Sequence, residues 1–220
     1  MARTFKNGFC FEMIEKNNFL RRDDITLCWR YNYIPFHASD NSVDNKISKY
    51  ICTLKNTYNK DSLNLHEAAK EIEKDINEGL GILLPMLAAE SQPWVVVAAP
   101  RSKAEFYEKK HEKQLYLIKA ISNAVSKHRV ENGAYFIKRD EDTKTTHLMN
   151  TKNGDMNTTG KAPYPGITRD TCSLHGDVRG KNVILIDDIY THGVNVDEDC
   201  VQFLFDNGAR KVVLYTLCKT

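Results

Sequence analysis

Two adjacent carboxylates, Asp187 and Asp188, stand between the aliphatic run Val183-Ile184-Leu185-Ile186 and the polar turn Thr191-His192-Gly193-Val194-Asn195. Carboxylates accept hydrogen bonds from hydroxyl groups, and a short turn that opens a helix offers backbone N–H groups to an anion. Gly193 permits the positive φ and close backbone approach that such a cradle uses. Hydroxyl acceptors beside an anion cradle suggest one ligand that carries both hydroxyls and a phosphate. An ordinary buried strand ending in a polar turn uses the same residue types, so the surrounding elements have to be weighed.

Four consecutive large aliphatic residues cannot form an exposed strand, so 183–186 is expected to be buried on both faces, as in a parallel sheet. Acids that follow such a strand lie in the crevice where open α/β sheets place ligands. Val196, Cys200, Phe203 and Leu204 then recur at helical spacing, Asn207-Gly208 ends that helix, and 212–217 is a final strand. Strand, turn, helix and strand make a right-handed crossover unit with the cradle at its first turn. No Gly-x-x-x-x-Gly-Lys-Ser/Thr loop occurs, which argues against a nucleotide kinase.

The stretch 183–195 resembles the phosphoribosyl pyrophosphate signature of type I phosphoribosyltransferases: a hydrophobic strand, two acids, two mostly apolar residues and a Thr/Ser/Gly turn. Within that family, Asp-Asp-Ile-Tyr-Thr followed by Gly is most similar to the competence-protein F group. The resemblance implies that Asp187 and Asp188 bind the ribose 2′ and 3′ hydroxyls and that Thr191, His192, Gly193, Val194 and Asn195 wrap the 5′-phosphate. His192 and Asn195 stand where the family commonly carries small hydroxyl residues; both side chains can donate hydrogen bonds. Trp94 to Ala99 reads as a second buried strand. The Arg101-Ser102-Lys103 that follows it matches the family's pyrophosphate loop, although a basic turn after a strand is common.

The 220 residues, 41% hydrophobic, suffice for one domain with an elaborated flank. The implied architecture is an α/β phosphoribosyltransferase-type core, Rossmann-like with a parallel sheet, over 92–220, carrying a long insertion at about 138–182. Residues 1–91 form an N-terminal flanking or hood region. Its many aromatics have no clean period and are read mainly as core; 25–31 is a strand candidate and 47–58 a short helix or strand. Leu65, Ala68, Ala69, Ile72 and Ile76 mark an amphipathic helix that Gly79 or Gly81 can end, and Leu115, Ile118, Ile121 and Val125 mark another. Residues 134–137 are a third strand candidate, introduced by Asn132-Gly133 as a turn. In the family a mobile loop closes over the pyrophosphate at the place of the insertion. Lys144, His147, Lys152 and Arg169 are the cations there, and none differs in kind from an exposed charge.

A net charge of +2 gives no support to a large nucleic-acid footprint. No apolar stretch is long enough to span a bilayer and no secretory leader is visible, so a cytoplasmic protein with reduced cysteines is expected. The histidines show no zinc spacing. The resemblance implies an enzyme that binds phosphoribosyl pyrophosphate with Mg²⁺, the ion held mainly by the donor's own oxygens, and transfers ribose 5-phosphate to a nitrogenous acceptor. Thr191 stands where the family's 6-oxopurine enzymes carry an Asp, which argues against hypoxanthine or guanine. Two alternatives stay open: a non-catalytic regulator that binds the same ligand, and a competence-type accessory protein that contacts single-stranded DNA. Dimers are common in the family, so a homodimer is one expectation.

Overall fold

The computed structural model describes residues 4–35, 41–55, 62–102, 104, 112–143 and 166–220. Nine strands and four helices occur among them: β1 (Thr4–Lys6), β2 (Phe9–Ile14), β3 (Ile25–Asn32), α1 (Val43–Lys55), α2 (Ser62–Leu87), β4 (Trp94–Ala98), α3 (Glu112–Val125), β5 (Glu131–Gly133), β6 (Ile137–Arg139), β7 (Cys172–Leu174), β8 (Asn182–Tyr190), α4 (Val196–Asp206) and β9 (Lys211–Lys219).

Seven strands form one sheet in the order β1-β2-β3-β9-β8-β4-β5. The five from β3 to β5 run parallel, and β2 and β1 add an antiparallel edge. This is the α/β, mostly parallel architecture expected from the buried aliphatic runs. Alternation sorts the strand residues onto two covered faces. Val96, Ala98, Ile184, Ile186, Val213 and Tyr215 pack with α1, α2 and α3. Val95, Val97, Val183, Leu185, Val212 and Leu214 pack with Cys200, Val201, Phe203 and Leu204 of α4, and with Ile137 and Cys172 of the β6–β7 ribbon.

The first 91 residues contribute three strands and two helices to this same sheet and core. β3 pairs with β9 from Thr26↔Val213 to Asn32↔Lys219. Phe9 and Trp29 are buried, as packing aromatics, while Phe5 is exposed on the edge strand. All six cysteines are free thiols. Among the described residues no helix is long and apolar enough to cross a membrane.

Several local expectations are corrected. Of the 47–58 segment, left open between helix and strand, residues 47–55 are helical within α1, and 56–58 lie outside the described residues. Helix α2 does not stop at Gly79 or Gly81 but runs on through Pro85 to Leu87. Gly79 serves a close approach, since a Cβ there would lie 2.3 Å from the Tyr215 hydroxyl oxygen. Asn132-Gly133 belongs to β5 rather than to a turn, and the turn falls on 134–136, where the Phe136 N–H donates to the Gly133 carbonyl at 2.8 Å. Gly133 is again a packing glycine, its missing Cβ 2.8 Å from Val95. The insertion is structured at both roots, because β6 and β7 pair antiparallel from Ile137↔Leu174 to Arg139↔Cys172.

Candidate functional site

The chain leaves β4 toward α3 on one face of the sheet and leaves its neighbour β8 toward α4 on the other. Loops that diverge in this way open a crevice beyond the C-terminal strand ends, the ligand position of open α/β sheets. The loop after β4 brings Arg101 and Ser102 to it, and the end of β8 brings Asp187, Asp188 and the 191–195 turn. Lys103 lies outside the described residues, as do Lys144, His147 and Lys152. Arg169 is directed away, its Nη2 donating to the Asp206 carbonyl at the far end of α4 at 2.7 Å.

Asp187 and Asp188 are inside the strand rather than after it, because β8 continues to Tyr190 in unbroken register with β9. Neighbouring residues of a strand point to opposite faces, and the surroundings of the two acids differ accordingly. A hydrogen bond joins Asp197 of α4 to Asp187, and burial with the neighbouring acids holds the Asp197 carboxyl well above the usual range. Asp188 is buried within electrostatic reach of Tyr33 and Cys218 on the other side. Its Oδ2 lies 2.9 Å from Arg101 Nη1. The loop cation and the strand acid therefore neutralise each other. Arg101 Nε and Nη2, both shielded from solvent, have no hydrogen-bond partner among the described residues.

The turn takes left-handed backbone at its glycine and at its last residue. Gly193 has φ +80 and Asn195 φ +62, the left-handed region. A Cβ at Gly193 would meet nothing within 4 Å, so the glycine is there for its backbone, not for space. Val194 N–H donates to the Thr191 carbonyl at 3.1 Å, and Asn195 Nδ2 donates to the Gly193 carbonyl at 3.0 Å. His192 and Gly193 are exposed, whereas Asn195 Oδ1 accepts from Asn17 Nδ2 at 3.2 Å. The N-terminal segment thus touches the rim of the crevice, a contact invisible in the sequence.

Helix α4 opens with three acids, Asp197, Glu198 and Asp199. Each is committed within the fold. Glu198 accepts from the Tyr190 hydroxyl at 2.9 Å, and Asp199 Oδ2 accepts from the Ile167 N–H at 2.7 Å. Burial pushes the Asp199 carboxyl up to about 6.

Sequence reasoning missed Arg139. It is one of the largest fully buried side chains. Its Nε donates to the Arg101 carbonyl at 2.8 Å, and its Nη1 donates to the Gly166 carbonyl and, at 3.2 Å, to Thr171 Oγ1. The only local sign was an arginine behind Ile137, in a short run that alternates inward and outward.

Among the described residues no group of three or more His, Cys, Asp or Glu side chains is arranged to hold a metal ion. Carboxylates such as these accept hydrogen bonds from hydroxyl groups.

The fold defines the chain as an α/β protein whose mostly parallel sheet gathers charged residues at a switch point. No family model and no curated protein matches it. Solved structures similar to it include a hypoxanthine phosphoribosyltransferase from Staphylococcus aureus in two crystal forms. At 15% identity they cover 69% of this chain and 65% of their own, with TM-scores of 0.36 and 0.34. A third, described as the glutamic acid mutant of an invariant aspartic acid in HPRTs, is 11% identical over 70% of this chain and 67% of that one, with a TM-score of 0.31. The chain spans about two thirds of the length of these proteins, 65% for the first two. The architecture is accordingly read from the sheet itself.

Proposed function

We propose that this chain binds phosphoribosyl pyrophosphate in the β4/β8 crevice and transfers its ribose 5-phosphate to a nitrogenous acceptor, with release of pyrophosphate. The carrying observation is the Arg101–Asp188 pair at 2.9 Å. It joins the loop expected to meet the leaving pyrophosphate to the strand expected to meet the ribose, with the 191–195 cradle on the same strand's turn. In this reading the turn amides take the 5′-phosphate, and Asp187 and Asp188 accept hydrogen bonds from the ribose hydroxyls. Arg101 exchanges Asp188 for pyrophosphate oxygens, to which Nε and Nη2 offer further donors. The acceptor nitrogen forms its bond to C1′ as the C1′–oxygen bond breaks, and the electron pair leaves with pyrophosphate. The carboxylates offset positive charge developing at C1′ and act on no covalent bond. Mg²⁺ carried by the donor's oxygens would neutralise the leaving group. Thr191 at the head of the turn favours an acceptor other than a 6-oxopurine.

One observation favours a second reading, a ligand-binding regulator without turnover: Asp188 is paired with Arg101 and Asp187 with Asp197 within the fold itself.

Calorimetric titration with phosphoribosyl pyrophosphate and Mg²⁺, on wild type and on Asp187→Asn/Asp188→Asn, tests the site, with circular dichroism to verify that the variant is folded. Binding by wild type that is lost in the variant is expected. Pyrophosphate release that depends on an added base would establish the transferase; binding without release across a panel of bases would favour the regulator. No binding by folded wild type overturns both.

A further inference from the structure

The crevice is lined by pieces of chain distant in sequence, and one buried side chain ties several of them together. The loop after β4 carries Arg101. The near root of the insertion is β6, with the residues after it, and the far root begins at Gly166. Arg139 Nε holds the carbonyl of Arg101, the residue whose guanidinium pairs with Asp188. Its Nη1 holds the carbonyl of Gly166, which Thr171 Oγ1 also holds. Gly166 adopts φ +79, and the next N–H, that of Ile167, is taken by Asp199 at the start of α4. Two further bonds strap the same loop to the near root: Thr143 N–H donates to the Ser102 carbonyl at 2.7 Å, and Ala104 N–H donates to Asp142 Oδ1 at 2.8 Å.

We propose that Arg139 is the positioning residue of the donor site, setting Arg101 against Asp188 and making the loop after β4 move as one piece with both roots of the insertion. The inference rests on the donor reading given above. A guanidinium suits the task because its planar fork serves acceptors in two directions at once, which an ammonium cannot reproduce. Its charge is buried against carbonyls and a hydroxyl, with Asp199 and Asp142 nearby. A side chain needed only to fill this part of the core would be apolar, as Ile137 and Cys172 beside it are.

The test uses the full chain with Arg139→Lys, and with Thr171→Val as a milder variant that removes one hydroxyl of the hub and keeps the volume. Amide hydrogen exchange on ligand-free protein should show faster exchange at Ala104, Thr143 and Ile167 in Arg139→Lys, with β8 and β9 unchanged. Calorimetry with phosphoribosyl pyrophosphate and Mg²⁺ should show binding weakened roughly 10- to 100-fold, the scale on which supporting partners act, and less for Thr171→Val. In an Arg101→Met background, Arg139→Lys should weaken binding no further, because its effect passes through Arg101. A purely structural role would instead add to the Arg101→Met loss. Unchanged exchange at the three amides, or donor affinity equal to that of a binding wild type, overturns the role of Arg139. A folded wild type that binds no donor overturns the donor reading itself, a separate outcome.

Discussion

At the scale of single residues, the acids around the crevice differ by what surrounds them rather than by type. Asp187 is hydrogen-bonded to Asp197, Asp188 is paired with Arg101, and Asp199 receives the Ile167 N–H. Burial is the largest influence on Asp199 and raises its carboxyl from 3.8 to about 6, with the Ile167 N–H and Arg139 opposing it. The folded chain therefore binds this proton more tightly than the unfolded chain does. That contribution to stability is fully present below about pH 4 and is lost as pH rises through about 6. Asp199→Asn keeps an oxygen for the Ile167 N–H and removes the charge. In urea unfolding across this range the variant is expected to gain on wild type up to about pH 7 and to hold a constant difference above it. A difference that does not vary with pH would show that burial does not hold this carboxyl up. The presence of the acids is plain in the sequence. Their division between two sides of the sheet depends on β8 continuing to Tyr190, which the sequence did not reveal.

At the scale of elements, two glycines read as helix stops are interior to α2. Their misreading has a physical cause: a glycine that ends a helix and a glycine that lets a helix touch a strand are the same letter. Alanine favours a helix interior over glycine by about 1 kcal/mol, so Gly79→Ala would stabilise an isolated α2. In the folded chain the new Cβ would lie 2.3 Å from the hydroxyl oxygen of Tyr215, a fully buried ring. Overpacking of this kind costs roughly 1–3 kcal/mol. Thermal unfolding should therefore place Gly79→Ala below wild type, whereas Gly81→Ala, whose nearest neighbour would be His128 at 3.8 Å, should be neutral or stabilising. Equal midpoints for the two variants would sink this account. The turn at 191–195 was better legible, because Gly193 is used for its positive φ, a property that the sequence suggests directly.

At the scale of the whole molecule, the boundary drawn near residue 91 separates segments that share one sheet. β3 pairs with β9 along most of its length, and α1 and α2 cover the face formed by Ile184, Ile186, Val213 and Tyr215. Removing residues 1–91 would open a long edge on β9 and uncover that face. We expect a fragment of residues 92–220 to show no cooperative thermal transition, and the full chain to unfold in one step. Calorimetry of both decides it; a fragment with its own sharp transition would mean that the C-terminal part is a domain in its own right.

The aliphatic runs of β4, β8 and β9 pointed by themselves to strands buried on both faces, as in a parallel sheet; the antiparallel edge of β1 and β2 had no such sign. The adjacent acids and the glycine turn after them likewise marked one end of β8 as the candidate site. Tertiary structure alone decided what those acids face, that Arg101 meets Asp188, and that Arg139 ties the crevice loops together. Its partners at Arg101 and Gly166 lie 38 and 27 residues away along the chain. Periodicity reports which face of an element is buried; a polar contact between distant loops depends on where the loops end, and no local pattern carries that information.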